Sequence, residues 1–146
     1  MTERNYEGLK KYFNEIYHSN PFVNLLEIKL SHIEPGFAEL QMPIHQSKHT
    51  NLYHVAHGGA MASVADTAMG VACASLGRRV VTLELNMNFI KAPGPGTQVR
   101  ALARVVHNGR QTLVVECEVL GGDDGLLLKA RGTFFVVGQF DIVLGD

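Results

Sequence analysis

Residues 57–77 constrain this chain more than any other stretch. After a histidine and two glycines they are mostly alanine and other small apolar residues, with one acid, Asp66, near the middle. From Gly59 the segment reads as a helix. Gly77 followed by Arg78 and Arg79 marks its end, since glycine takes the left-handed conformation past a helix terminus and cations suit the negative end of the dipole. A helix apolar on every face belongs in an interior. Side chains this small let other backbone approach closely, so 57–77 is expected to be a central helix wrapped by a sheet.

Asp66 is the anomaly. Aspartate is a mediocre helix former away from the cap, and a buried charge is costly unless it is paired or used. One reading is a carboxylate satisfied by a neighbouring strand's hydroxyl or amide. The other is a general base or nucleophile with an environment-tuned pKa. The glycines supply a complement to the second reading. The first N–H groups of a helix lack internal partners and lie at its positive end, and glycine lets a ligand approach them. An oxyanion developing from an attacked carbonyl would be stabilised there. Gly58 and Asp66, however, are eight positions apart, about 12 Å along a helix axis. One carbonyl cannot sit about 3 Å from both. If both act on one substrate they come from different copies of the chain, which implies a two-fold dimer with paired sites at its interface.

The flanking sequence reads as helix, two strands, the central helix and four strands. Tyr6, Leu9, Phe13, Ile16 and Tyr17 recur at three- and four-residue steps over Glu3–His18, and Ser19-Asn20-Pro21 ends that N-terminal helix, placed within residues 1–20. From Leu26 the period becomes two, with Leu26, Ile28 and Leu30 on one face. Pro35-Gly36 is a turn, and 37–42 return as a second strand. Residues 43–54 are polar and irregular. Beyond the central helix, Val81, Leu83, Leu85, Met87 and Phe89 alternate with Thr82, Glu84, Asn86 and Asn88, as in a two-faced strand. Strands over 99–107 and Thr112–Leu120 flank Asn108-Gly109, a strong hairpin signal, and 126–137 complete a meander after the turn at 121–125.

A chain of 146 residues is expected to form a single domain. A net charge of −1 with mixed signs argues against nucleic acid as a partner. The charged first twenty residues carry no secretory signal, and the one long apolar stretch holds an acid and glycines, so neither export nor a membrane span is expected. Cys73 and Cys117 read as free thiols in a reducing cytoplasm.

Asn51, His57-Gly58-Gly59, Asp66-Thr67 and the strand running from Val80 to Phe89 together resemble the hotdog-fold acyl-coenzyme A thioesterases of the phenylacetate-degradation (PaaI-like) type. The resemblance covers about residues 20–137. It implies an α+β hotdog fold, an antiparallel sheet around a long central helix, assembled as a homotetramer of two dimers. It also implies roles. Asp66 would be the catalytic carboxylate and the Gly58 backbone N–H the oxyanion donor. Asn51 would place the water or the thioester. Thr82 would assist from the other subunit's side of the site. Family members commonly carry a glycine a few residues after the asparagine, where this chain has Tyr53-His54.

The expected activity is therefore hydrolysis of acyl-coenzyme A, aromatic or medium-chain, to the free acid and coenzyme A, with no metal or redox cofactor. Gly59 and Thr67 are expected to contact the substrate, and His57 is expected to position the glycine turn by hydrogen bonding. His45, His49, His54 and His57 cluster before the helix, but their spacing matches no helical zinc motif. Lys91 and Arg110 are candidates to meet the phosphates of coenzyme A. Two rival classes are a non-catalytic acyl-coenzyme A sensor and a hydratase or dehydratase on the same fold.

Overall fold

A computed structural model describes residues 3–140, apart from the side chains of residues 3–6, 17 and 18. The expected contributions of Tyr6 and Tyr17 lie outside the described residues. In chain order the elements are α1 (Glu3–His18), α2 (Pro21–Leu25), β1 (Lys29–Glu34), β2 (Phe37–Pro43), α3 (Gln46–His49), α4 (Gly58–Ala74), β3 (Arg78–Phe89), β4 (Gln98–Asn108), β5 (Thr112–Leu120) and β6 (Leu126–Gln139). The strands form one antiparallel sheet in the order β1-β2-β4-β5-β6-β3. The sheet curls about α4, which touches β2 to β6, and the fold is the α+β hotdog. None of the described helices is long and apolar enough to cross a membrane.

The core forms where small helix residues meet the inward side chains of the sheet. Val64, Ala65, Ala68, Met69 and Ala72 are buried against Ala101, Ala103, Leu113, Val115, Leu128 and Phe134. Gly132 on β6 lets the helix come this close. A Cβ there would lie 2.7 Å from Phe134 Cε2, 3.1 Å from Leu85 Cδ2 and 3.3 Å from Met69 Sδ. Cys73 and Cys117 are free and buried, and burial pushes both thiols up to about 12, so they pack as inert core groups.

Several expectations need correction. The central helix is not buried on every side: Ala62, Ser63, Asp66, Thr67 and Gly70 form a partly exposed stripe at three- and four-residue steps. It ends at Ala74, with Gly77 at φ +80° as expected. Arg78 stands near that end, where its positive charge opposes the rise in the Cys73 pKa. Its guanidinium donates to Asn108 Oδ1, Gly109 O and Arg110 O, tying β3 to the β4–β5 hairpin. The first strand starts at Lys29 rather than Leu26, because Asn20-Pro21 opens a short helix as well as closing α1. Asn20 Oδ1 accepts from the Val23 N–H, and proline sits where a helix needs no donor. Glu27 at φ 59° then turns the chain into the sheet. Residues 46–49 of the expected irregular segment form a helical turn.

The largest correction concerns β3. Strict alternation groups Thr82 with Glu84, Asn86 and Asn88, but the pairing with β6 slips between Thr82 and Glu84. Leu83 is the extra residue of this β-bulge, so Thr82 pairs with buried Phe134 while Glu84 pairs with Thr133 on the outer face. Thr82 is thereby aimed at α4, together with Leu85, Met87 and Phe89.

Candidate active site

His57 sets the start of α4. In extended conformation (φ −65°, ψ 134°) it is the N-cap, and its Nδ1 accepts from the Gly59 N–H at 2.8 Å. His57 thus ties the glycine turn through the Gly59 N–H. The Gly59 N–H is already occupied, whereas the exposed Gly58 N–H makes no hydrogen bond among the described residues. A single free donor at the positive end of a helix remains. Beside it lies a cleft of about 300 Å³ lined by Asn51, Met61, Phe89, Ile90, Lys91 and Leu127 among others.

Asn51 closes the loop ahead of the helix. Its Oδ1 accepts from Tyr53 N at 2.9 Å and Val55 N at 3.3 Å, while its Nδ2 makes no hydrogen bond among the described residues, and the residue lines the cleft. Below the loop, His49 is a structural peg. It is 1% exposed, accepts from His45 N through Nδ1 and donates from Nε2 to Leu26 O. Among the described residues no group of three His, Cys, Asp or Glu side chains is arranged to hold a metal ion.

Asp66 lies two turns along α4 on the partly exposed stripe. Thr82 Oγ1, turned inward by the bulge, donates to Asp66 Oδ1 at 2.8 Å. No other hydrogen bond or ion pair reaches the carboxylate among the described residues, so Oδ2 is unengaged. Burial pushes the carboxyl above the usual aspartate range, and the Thr82 hydroxyl opposes that rise. A half-buried carboxylate with one oxygen anchored and the other open is suited to accept a proton or to attack.

The structure brings together Asp66 with Thr82, and Gly58 with Asn51, His57 and Lys91. It does not bring the two groups to one point, since they occupy different turns of one helix. Thr67 sits beside Asp66, but its hydroxyl donates back to Ser63 O at 2.7 Å. Arg110 lies at the opposite end of α4 from Gly58, where its carbonyl holds Arg78. Residues not singled out from sequence also line the cleft: Met61, Ile90 and Leu127. Their apolar character gave no signal, because it is equally that of core residues.

The Thioesterase superfamily matches residues 53–128, more than half of the chain. The acyl-coenzyme A thioesterase PaaI of Escherichia coli K12 is 28% identical over 123 residues, 84% of this chain and 87% of its own length. The structure of E. coli PaaI superposes with a TM-score of 0.86 at 26% identity, covering 92% of this chain and 97% of that one. The protein PA5202 of Pseudomonas aeruginosa is 40% identical with a TM-score of 0.75, covering 80% and 94%. A hypothetical thioesterase protein of Streptococcus pneumoniae TIGR4, solved with coenzyme A, has a TM-score of 0.75 at 28% identity over 78% and 91%. That protein has also been crystallised with an aspartate and, separately, a threonine replaced by alanine. The two positions are sixteen residues apart, the spacing of Asp66 and Thr82. This chain belongs to the thioesterase superfamily, as a hotdog-fold thioester hydrolase of the PaaI-like kind.

Proposed function

We propose that the chain hydrolyses acyl-coenzyme A thioesters, of aromatic or medium-chain acids, at sites shared between two copies. The observation that carries this reading is the separation on one helix of a free oxyanion donor, the Gly58 N–H, from an open carboxylate, Asp66, held by Thr82. The thioester carbonyl oxygen points at the Gly58 N–H of one copy, and Asp66 of its partner approaches the carbonyl carbon. Gly59 leaves this approach unobstructed, Asn51 Nδ2 faces the thioester or the water, and Lys91 lies on the cleft rim toward the phosphates. Thr67 borders the partner's face of the site. Arg110 can reach this cleft only from the partner.

Two routes share this geometry. In one, Asp66 takes a proton from water as its oxygen bonds to the carbonyl carbon. The charge moves to the carbonyl oxygen, where the Gly58 N–H stabilises it. Its collapse expels the thiolate, which recovers the proton from Asp66. In the other, an Asp66 oxygen bonds to the carbonyl carbon, coenzyme A leaves as the thiolate, and water cleaves the mixed anhydride.

The test is thiol release across a panel of acyl-coenzyme A esters. Wild-type turnover is expected, with a loss of at least roughly a hundredfold in both Asp66→Ala and Asp66→Asn. Near-normal rates in both variants would overturn the assignment. A single turnover in isotopically labelled water separates the routes, because anhydride breakdown can leave solvent oxygen in Asp66.

A further inference from the structure

His49 closes the neck of the loop that carries Asn51. Thr50 bridges to Ala56, and next along the neck the His57 N–H donates to His49 O at 2.7 Å. Two candidate groups flank this neck: Asn51, just inside it, and the Gly58 N–H, in the peptide that follows His57. The Gly58 N–H shares its peptide plane with His57 O, which accepts from the Ala60 and Met61 N–H groups at the helix start. Its direction is therefore set by how His57 is held. That residue is fixed on one side through its own N–H to His49 and on the other through Nδ1 to Gly59.

His49 in turn is engaged at every polar atom. Its N–H donates to His45 O at 2.9 Å, its Nδ1 accepts from the His45 N–H at 3.0 Å, and its Nε2 donates to Leu26 O at 2.8 Å. A carbonyl oxygen only accepts and a backbone N–H only donates, so the ring is neutral with its proton on Nε2. Its two ring partners belong to separate segments, since His45 caps α3 and Leu26 leads into β1. Glu27, at φ 59°, clamps the same corner from outside by pairing with Lys48 at 3.0 Å and His45 at 3.3 Å. At 1% exposure a leucine would fill the space of His49 with no polar group to satisfy, so the use of an imidazole lies in its hydrogen bonds.

We propose that His49 is a positioning residue of the active site. Its ring ties the loop neck to the entry of the sheet, and its carbonyl holds His57 so that the Gly58 N–H keeps its aim at the reacting carbonyl oxygen. The inference rests on the acyl-coenzyme A hydrolysis reading and adds to it a residue that does not line the cleft. A donor meant for a developing oxyanion loses much of its effect when it is displaced by a fraction of an ångström. Binding of the ground state depends on that donor less, so the loss falls on kcat rather than on KM.

The test is thiol release by His49→Leu and His49→Gln. In His49→Leu, kcat is expected to fall at least roughly tenfold while KM stays within about twofold. His49→Gln, which keeps a donor for Leu26 O, should recover part of that loss. In a Gly58→Pro background His49→Leu should cost no more than about twofold further, because the donor it positions is already gone. An unchanged kcat in His49→Leu, a His49→Gln no faster than His49→Leu, or full multiplication of the losses with Gly58→Pro would each overturn the proposal. Should His49→Leu fail to fold, His49→Gln alone decides: a lower kcat at unchanged KM supports the proposal, and an unchanged kcat overturns it. Absence of wild-type turnover on every thioester would instead count against the hydrolase reading. Amide hydrogen exchange in the folded variants then decides the role of His49: faster exchange confined to residues 50–59 supports it, and unchanged exchange there overturns it.

Discussion

At Asp66 the physical question is why a helix lined with alanine keeps a carboxylate. Its folded-state pKa is raised by burial, with Thr82 opposing the rise. Either proposed route requires the ionised form. The acid limb of kcat/KM is therefore expected above the usual aspartate range, and Thr82→Val, which removes the opposing hydrogen bond, should move it further up. A pH–rate profile of both proteins checks this, and a limb shifted downward by Thr82→Val would contradict it. The same shift has a sign for stability. A carboxyl whose pKa is raised on folding stabilises the fold while protonated, below its unfolded value, and loses that contribution as pH rises through the folded one. At neutral pH ionised Asp66 thus opposes folding. Asp66→Asn should melt higher than wild type near pH 7, with the gap closing toward acid, while turnover collapses. Thermal melts across pH read both parts.

At the scale of elements, the bulge in β3 does what alternation cannot. It turns Thr82 toward Asp66 while leaving Glu84, Asn86 and Asn88 on the outer face. Deleting Leu83 should restore regular pairing, rotate Thr82 away and lower kcat/KM by more than Thr82→Val does. Gly132→Ala should cost about 1–3 kcal/mol in denaturant unfolding, because its Cβ would crowd Phe134, Leu85 and Met69. These two features also mark the limit of what the sequence discloses. The central helix, the Pro35-Gly36 turn and the Gly77 stop were legible because their signals are local: composition, turn chemistry, a left-handed glycine. Asp66 was legible as a solitary acid in apolar surroundings. The bulge was not, since it is a property of how β3 pairs with β6, and Val81 to Phe89 alternate too regularly to hint at it. The role of Gly132 was hidden for a related reason: its need to be small comes from how the Phe134 ring folds back over it, and then from Leu85 and Met69, far away in sequence. Asn108-Gly109 led to the right hairpin but not its geometry. Gly109 lacks a positive φ, and it is required because a Cβ would lie 2.7 Å from Thr112 O.

For the whole molecule, the edge strand is decisive. β3 pairs with β6 on one side only, and Val81, Leu83 and Phe89 are 50%, 59% and 56% exposed. A long apolar edge beside a half-open helix stripe is an unfinished surface. The proposed dimer covers it and brings Asp66 to the partner's Gly58. A charge at the edge, Leu83→Glu, should therefore dissociate the protein and lower activity together, visible as smaller mass by light scattering and restored activity at high protein concentration. Retained activity in a monomer would contradict a shared site.

The most direct measurement uses two dead proteins. Asp66→Asn removes the carboxylate's chemistry. Gly58→Pro removes the N–H and puts a ring carbon in its place, at a first helical position that tolerates proline and after a residue, His57, already extended. Each alone should lose at least roughly a hundredfold in turnover. Co-expressed, they form mixed dimers in which one site carries both lesions and the other neither, so random pairing should restore about a quarter of wild-type activity. A mixture that stays as inactive as its components would mean that Asp66 and Gly58 do not meet across two chains.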